Sequence, residues 1–278
     1  MVPPSAGSYR MWEAPARFGH WRKIAPMRAH KLRRSIAPLF VAAAILTLVS
    51  WRNKGRLVGP GEILAPLLQP PIQRPLQADT FEFPYKGKVC RVEPVATYEL
   101  WGLVVSHNDI ESLADIYHDS TSVDTKDLCV VWGSNLEHAD YQSVEFQSGP
   151  WTCYFRYPAG VEFDHDELGN NHLITDNPTV RRQLEAIRIG DQIHLEGRLV
   201  NYQMEDWQGF WRRTSTSRQD NDCEVVFLER LSVLRRGTPI WYMAYRLGWT
   251  ALLVLPVLYV GLMWLEAGSS DPTTLGRL

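Results

Sequence analysis

The sequence predicts a mainly β domain with one helix, carried between two membrane-spanning α-helices. Two uncharged apolar runs, residues 36–51 and 247–265, lie near opposite ends of the 278-residue chain. The sequence between them is too polar for a bilayer and contains short runs rich in Val, Ile, Tyr, Phe and Trp, which are typical of strands. All four cysteines lie in this central part, as expected for a folded domain on the oxidising side of a membrane.

Residues 1–34 are predicted to be a cytoplasmic basic tail and residues 35–51 a transmembrane helix. The tail is rich in Arg and Lys and has Glu13 as its single acidic residue, and such flanks stay in the cytoplasm. A charged start followed by a short apolar core is also the pattern of a cleaved signal peptide. The length of the tail and the basic residues Arg52 and Lys54 just after the core favour an uncleaved anchor.

Residues 240–265 are predicted to be the second transmembrane helix and residues 266–278 a cytoplasmic tail. Trp249 and Trp264 lie near the ends of the apolar run, as interfacial aromatic residues do, and transmembrane helices tolerate a proline such as Pro256. The arginines before this run oppose the charge rule, but a large translocated domain largely escapes that rule. The prediction is an inner (plasma) membrane protein with both termini cytoplasmic and the central domain periplasmic.

Residues 52–80 are predicted to be a Pro-rich linker, and residues 81–236 the extracytoplasmic domain. Repeated prolines favour an extended, semi-rigid spacer that lifts the domain off the bilayer. The strand-like segments of the domain are residues 81–92, 98–106, 128–132, 151–157, 192–202 and 223–234.

A helix is predicted between the fourth and fifth of these segments. Val180, Leu184 and Ile187 recur at helical spacing, and Asn177 can cap the first turn. From the second segment onward the order is therefore three strands, one helix and two strands, which is the order of an OB-fold barrel. The domain resembles OB-folds in this order alone, so we expect an OB-like small β-barrel, with another small β-sandwich or barrel as the alternative. Residues 106–126 would form an oversized first hairpin loop carrying a short helix.

The even number of cysteines predicts two disulfides, for which a sequence allows three connectivities. The preferred pairs are Cys129 with Cys153, in successive strand-like segments, and Cys90 with Cys223, which would join the entry strand of the domain to its exit strand. No Cys-x-x-Cys occurs, so neither a redox motif nor a zinc knuckle is indicated.

Charge and motif content exclude several classes of function. The net charge of −2 gives no basic excess, so no nucleic-acid partner is expected. The sequence has no dinucleotide-binding, P-loop, zincin or covalent-haem motif, and we therefore predict no cofactor. It also lacks a nucleophile elbow, so no catalytic residue is assigned and an enzyme is not favoured.

The most polar cluster of the domain spans residues 162–172. Carboxylates and imidazoles at this density could hold a hard or borderline cation. The spacing fits neither a calcium loop nor the histidine pair of a helical zinc site, and a solvated loop is the competing interpretation. The candidate metal ligands are Asp164, His165, Asp166 and His172.

Residues 207–218, between the last two strand-like segments, combine aromatic and cationic side chains. In an OB-fold the corresponding loop is one wall of the ligand site. Aromatic rings could stack on flat groups or sugars, and guanidinium groups could neutralise an anion. Contact with lipid headgroups and packing of the Trp residues against their own barrel are the alternatives. The candidate binding residues are Trp207, Phe210, Trp211, Arg212, Arg213 and Arg218.

The function predicted from these features is that of a non-enzymatic binding or assembly component of an envelope complex. Its partners would be membrane lipid, through the two helices, and an envelope protein. The alternatives are a membrane-tethered metal-dependent hydrolase built on the Asp164, His165, Asp166 and His172 loop, and a periplasmic haem carrier that uses an exposed histidine.

Overall fold

The computed structural model describes residues 19–85, 87–108, 125–149, 152–217 and 223–268. The chain divides into two compact units: Met1–Arg52 with Trp241–Leu278, and Asn53–Ile240. The short helix predicted in the 106–126 loop lies outside the described residues, as do most of the two predicted tails and Arg218.

The first unit is built from two long helices, α1 (Gly19–Asn53) and α3 (Pro239–Gly268). Both are long and apolar enough to cross a membrane, with a mean hydropathy of 1.7 over an 18-residue window within His30–Asn53 and 1.8 over such a window within Pro239–Trp264. Pro256 lies inside α3 without ending it. The prediction of two long apolar helices is therefore confirmed. Helix α1 begins at Gly19, within the predicted basic tail.

Small side chains bring α1 and α3 into close contact. A Cβ added at Gly248 would lie 2.3 Å from the Thr47 Oγ1 and 3.2 Å from the Thr47 Cα. Ala43 and Ser50 are also buried on α1, as is usual where apolar helices approach backbone to backbone. Near the other end of the pair, the Arg33 Nε lies 3.2 Å from the Glu266 Oε2. The two helices therefore run antiparallel.

The second unit is mainly β. It contains one short helix, α2, and nine strands among the described residues. Their bounds are β1 (Ile72–Pro75), β2 (Phe81–Tyr85), β3 (Lys88–Asn108), β4 (Lys126–Val131), β5 (Glu145–Ser148), β6 (Cys153–Arg156), β7 (Leu168–Ile174), α2 (Pro178–Glu185), β8 (Gln192–Met204) and β9 (Glu224–Arg235).

One mixed sheet carries seven of these strands, six of them in the order β1-β3-β4-β7-β9-β8, with β2 paired to β3. Strand β3 also pairs with β8, so the path from β3 through β4, β7, β9 and β8 returns to β3. Strands β7 and β9 run parallel, whereas the other described pairs are antiparallel. Strands β5 and β6 form a separate two-stranded sheet. Mainly β structure is thus confirmed.

The strand that precedes α2 is not the predicted one. The sequence predicts residues 151–157 for that place, but the strand formed there, β6, belongs to the small separate sheet. The large sheet instead uses β7, which begins Leu-Gly-Asn-Asn-His and whose composition is typical of a turn. Its polar residues Asn171 and His172 are fully buried. The helix itself is where the pattern placed it, and the Asn177 Oδ1 accepts a 2.9 Å hydrogen bond from the Thr179 N–H.

The Pro-rich segment after α1 packs against the large sheet of its own unit instead of standing clear as a spacer. Leu67 is fully buried in a cluster that includes Leu103 and Tyr141. The Tyr141 hydroxyl donates a hydrogen bond to the Val58 carbonyl. The Gln192 side chain donates to the Glu62 carbonyl at 2.9 Å. The leucines that alternate with the prolines have apolar surface to bury, which accounts for the docking.

One of the two preferred disulfides is present. Cys129 on β4 is bonded to Cys153 on β6, with 5.9 Å between the Cα atoms, and this bond fastens the small sheet to the large one. Cys90 and Cys223 are thiols, so the second preferred pair is not formed. Strand β8 lies between β3 and β9, and two strand spacings of about 4.8 Å exceed the reach of a disulfide.

Candidate functional site

The aromatic turn that follows β8 is supported by its own domain. The ring of Trp207 packs against Tyr202, with 5.2 Å between centroids, and against Phe210, with 5.6 Å. Gln208 and Gly209 have φ values of 47° and 91°, which turn the chain back on itself. Tyr202 and Arg212 then exchange two backbone hydrogen bonds of 2.9 Å. The turn is therefore a braced extension of β8.

The side chains of this turn differ in exposure. Phe210 is 65% exposed, although its ring rests on Trp207. Arg213 is exposed, whereas Trp211 and Arg212 are half-buried. Trp207 packs against its own domain, as the alternative interpretation expected, and Phe210 is the aromatic side chain that the turn presents to solvent.

A polar groove of about 330 Å³ lies beside the residues that lead into the turn. Its lining includes Gln203, Met204 and Glu205 from the end of β8. Arg91 and Glu82 form an ion pair of 2.8 Å in the same groove. The surface near the turn thus offers charged groups of both signs together with the exposed ring of Phe210.

Asp164, His165 and His172, three of the four predicted metal ligands, make other side-chain contacts. The Asp164 carboxylate accepts a 2.9 Å hydrogen bond from the Asp166 N–H, which caps a short 3₁₀ turn. The His165 Nε2 lies 2.9 Å from the Tyr157 hydroxyl. His172 is buried on β7, where its Nδ1 lies 2.7 Å from the Asp127 Oδ1. Among the described residues, these four do not converge on a common point where one ion could be held.

A different set of metal-ligating side chains does converge. Glu99, His194 and Glu196 offer ligand atoms that all lie within 4.8 Å of one another. The His194 Nε2 is 2.9 Å from the Glu99 Oε1 and 3.8 Å from the Glu196 Oε1. All three side chains are half-buried, while the intervening Leu195 is in the core. We call Glu99, His194 and Glu196 the carboxylate–histidine cluster.

Strand register assembles this cluster. Glu99 on β3 lies opposite Glu196 on β8, and Trp101 lies opposite His194. The rings of Trp101 and His194 stack at 4.4 Å between centroids and are parallel within 3°. On the other side of β8, Glu196 lies opposite Arg230 of β9. Three neighbouring strands therefore contribute one charged side chain each to a single row.

Arg230 holds the Glu196 carboxylate. Its Nε donates a 3.0 Å hydrogen bond to the Glu196 Oε1, and one of its terminal nitrogens donates to the Glu196 Oε2. Hydrogen bonding by Arg230 lowers the pKa of the Glu196 carboxyl below its usual range. The same contact raises the pKa of Arg230. Glu196 is therefore an anion at neutral pH.

Two grooves adjoin the cluster. One, of about 250 Å³, is lined by Glu99, Glu196 and Arg230 together with Arg74 and Thr97. The other, of about 410 Å³, is lined by Trp101 and the docked Pro-rich segment. Sequence reasoning missed this surface. The one local signal was that His194 and Glu196 share a face of β8. The rest of the surface could not be predicted, because their partners come from distant strands.

The chain matches no protein-family model, no curated protein and no solved structure. Its function therefore has to be inferred from its own residues and their geometry.

Proposed function

We propose that this protein is a non-enzymatic binding or assembly component of an envelope complex. In this proposal α1 and α3 cross the inner membrane, both termini are cytoplasmic, and the β domain is held in the periplasm. The basic flank before the first apolar run supports that orientation. The Cys129–Cys153 bond supports an oxidising compartment.

The domain is proposed to be an OB-like barrel. The circuit of pairings from β3 through β4, β7, β9 and β8 back to β3 supports this assignment. The parallel pairing of β7 with β9, and the position of α2 between β7 and β8, are those of an OB-fold whose third and fifth strands are neighbours. In such barrels the loop between the fourth and fifth strands, here residues 205–223, borders the ligand site.

The observation that carries the binding proposal is the exposure of Phe210 on a braced turn. A ring that is 65% exposed, yet supported from below by Trp207, loses little conformational freedom when it enters a partner's pocket. Aromatic and Arg side chains are also the residues that most often dominate binding energy at protein interfaces. Arg212 and Arg213 follow in the chain, so the partner surface we expect is apolar at its centre and acidic at its rim.

Site-specific photo-crosslinking in native membranes tests this proposal. A photoreactive amino acid at position 210 should give a discrete adduct with an envelope protein. Tyr154 on β6, which is 60% exposed, supplies a matched aromatic control that should not give that adduct. Adding Arg213→Glu to the position-210 variant should weaken the adduct severalfold. Identical adducts at positions 210 and 154, or none at position 210, would argue against a recognition surface there.

A further inference from the structure

We propose that the carboxylate–histidine cluster binds one divalent transition-metal ion of the zinc class. The cluster lies near the start of β8, whereas the Phe210 turn follows the end of the same strand. The ten residue steps from His194 to Met204 span about 33 Å of extended chain. The metal site is therefore separate from the binding surface proposed above.

The spacing of the ligand atoms matches a tetrahedral ion. Zinc lies about 2.0–2.2 Å from His nitrogen and carboxylate oxygen, so two ligand atoms of a tetrahedron are about 3.4 Å apart. The distances from the His194 Nε2 to the two carboxylate oxygens, 2.9 and 3.8 Å, lie on either side of that value. Half-buried side chains can adjust by the remaining half ångström or so without a backbone shift. One imidazole and two carboxylates suit zinc better than calcium or magnesium.

The surroundings of the three ligands favour a cation between them. Glu99 and Glu196 are directly opposed across an antiparallel pair, an arrangement that destabilises a sheet when both are charged. Arg230 contacts Glu196 through both carboxylate oxygens, whereas Glu99 has the imidazole of His194 as its partner. Arg230 compensates only part of the repulsion between the Glu99 and Glu196 carboxylates. A bound divalent ion would offset the remainder.

The contacts around the ligands are also those that orient metal-binding side chains. Arg230 fixes the plane of the Glu196 carboxylate, and the stacked ring of Trp101 fixes that of the His194 imidazole. A bound ion would replace the direct contact between the His194 Nε2 and the Glu99 Oε1, which lie 2.9 Å apart. Three protein ligands would leave a fourth position for water or another ligand. Glu99 and Glu196 also line a groove with Arg230, through which such a ligand could approach.

Metal titration of the purified full-length protein tests the proposal. The protein is purified in detergent through a tag that contains no histidine and is stripped with a chelator. It is then equilibrated with Zn²⁺ or Co²⁺. Elemental analysis should find one ion per chain, and Co²⁺ should give the visible absorption of a four-coordinate site. His194→Ala and Glu99→Gln should each weaken binding at least tenfold, whereas His138→Ala, at an exposed histidine, should leave it unchanged.

Two results would overturn the metal site: wild-type protein that retains no more than a trace of metal, or His194→Ala protein that binds metal as wild type does. Glu99→Gln decides the question if His194→Ala misfolds, since its carboxamide can still accept the hydrogen bond from His194. The photo-crosslink at position 210 reports on a different surface. Failure to bind metal therefore does not imply failure of the crosslink, and failure of the crosslink does not imply failure to bind metal.

Discussion

Replacing Gly197 by Ala should open the contact between β8 and β9. A Cβ at this position would lie 2.2 Å from the Phe227 carbonyl oxygen and 3.1 Å from its carbon, so the obstacle is backbone that cannot rotate away. Gly197 also lies at a register shift between β8 and β9. Relief of the clash requires the strands to move apart by about 1 Å, which lengthens the neighbouring ladder hydrogen bonds past their useful range.

The expected cost follows from that separation. Weakening two or three ladder hydrogen bonds at about 1 kcal/mol each lowers the free energy of unfolding by about 3 kcal/mol. For a domain of this size the melting temperature should fall by about 6–12 °C. Thermal unfolding of the full-length protein in detergent, followed by Trp fluorescence, measures the change.

Gly61→Ala is the matched control for this substitution. Gly61 is exposed, and a Cβ there meets nothing within 4 Å. The Gly61→Ala substitution removes the same flexibility from the unfolded chain and should raise the free energy of unfolding by about 0.4–1 kcal/mol. If the Gly197→Ala protein melts within two or three degrees of the Gly61→Ala protein, the strands do not approach as closely as described, and the reasoning is refuted.

Three further predictions concern the cysteines and the docked segment. Cys129→Ser, or reduction of wild-type protein, should cost about 3 kcal/mol of unfolding free energy, because the bond closes a loop of 24 residues; equal melting temperatures before and after reduction would contradict this. In spheroplasts, a membrane-impermeant maleimide should label the half-buried Cys223 without prior reduction, whereas labelling that requires lysis would invert the proposed topology. Burial, and secondarily the charge of Glu62, raises the pKa of Tyr141 from 10.0 to about 12. The contribution of Tyr141 to the free energy of unfolding should therefore be fully present below pH 10 and be lost between pH 10 and 12. In denaturant titrations at a series of pH values, Tyr141→Phe should reduce this loss.

The elements that could be predicted from the sequence are those whose signals are local. The two apolar helices follow from uninterrupted apolar runs, and α2 follows from its apolar spacing and from Asn177 at its start. Strand β7 could not be predicted in this way, because its buried residues are polar. The Asn171 side-chain Oδ1 accepts a hydrogen bond from the Tyr98 hydroxyl, and the side-chain Nδ2 donates to the Leu128 carbonyl. Those partners are distant in sequence, so only the complete fold makes Asn171 acceptable in a core.

The docked Pro-rich segment shows a related limit. Proline spacing alone predicts an extended chain, whereas the segment contains two short 3₁₀ helices, Pro60–Glu62 and Ala65–Leu68, and strand β1. Whether such a chain stands clear or packs depends on surfaces elsewhere, here the hydroxyl of Tyr141 and the side chain of Gln192. The sequence contains these groups but does not reveal that they face the segment.

The carboxylate–histidine cluster depends on register, which a single sequence specifies weakly. Moving β8 by one residue against β3 would turn His194 and Glu196 to the opposite face and would separate both from Glu99. The β3–β8 pairing has one irregularity, at Pro94/Ala96 on β3, and runs in continuous register from Ala96 through the cluster. No motif marks this irregularity, so the cluster is visible only once the strands are paired.

The position of Gly197 connects the stability prediction to the metal proposal. Separation of β8 from β9 at this residue would pull Arg230 away from Glu196, its direct neighbour in the ladder. Metal affinity should therefore fall in Gly197→Ala protein that is still folded below its melting temperature. The Phe210 turn is held by Tyr202 and by its bridge to Arg212, so crosslinking from position 210 should persist in the same protein. Loss of metal with retention of the crosslink is the result expected if the two surfaces use opposite ends of β8 independently.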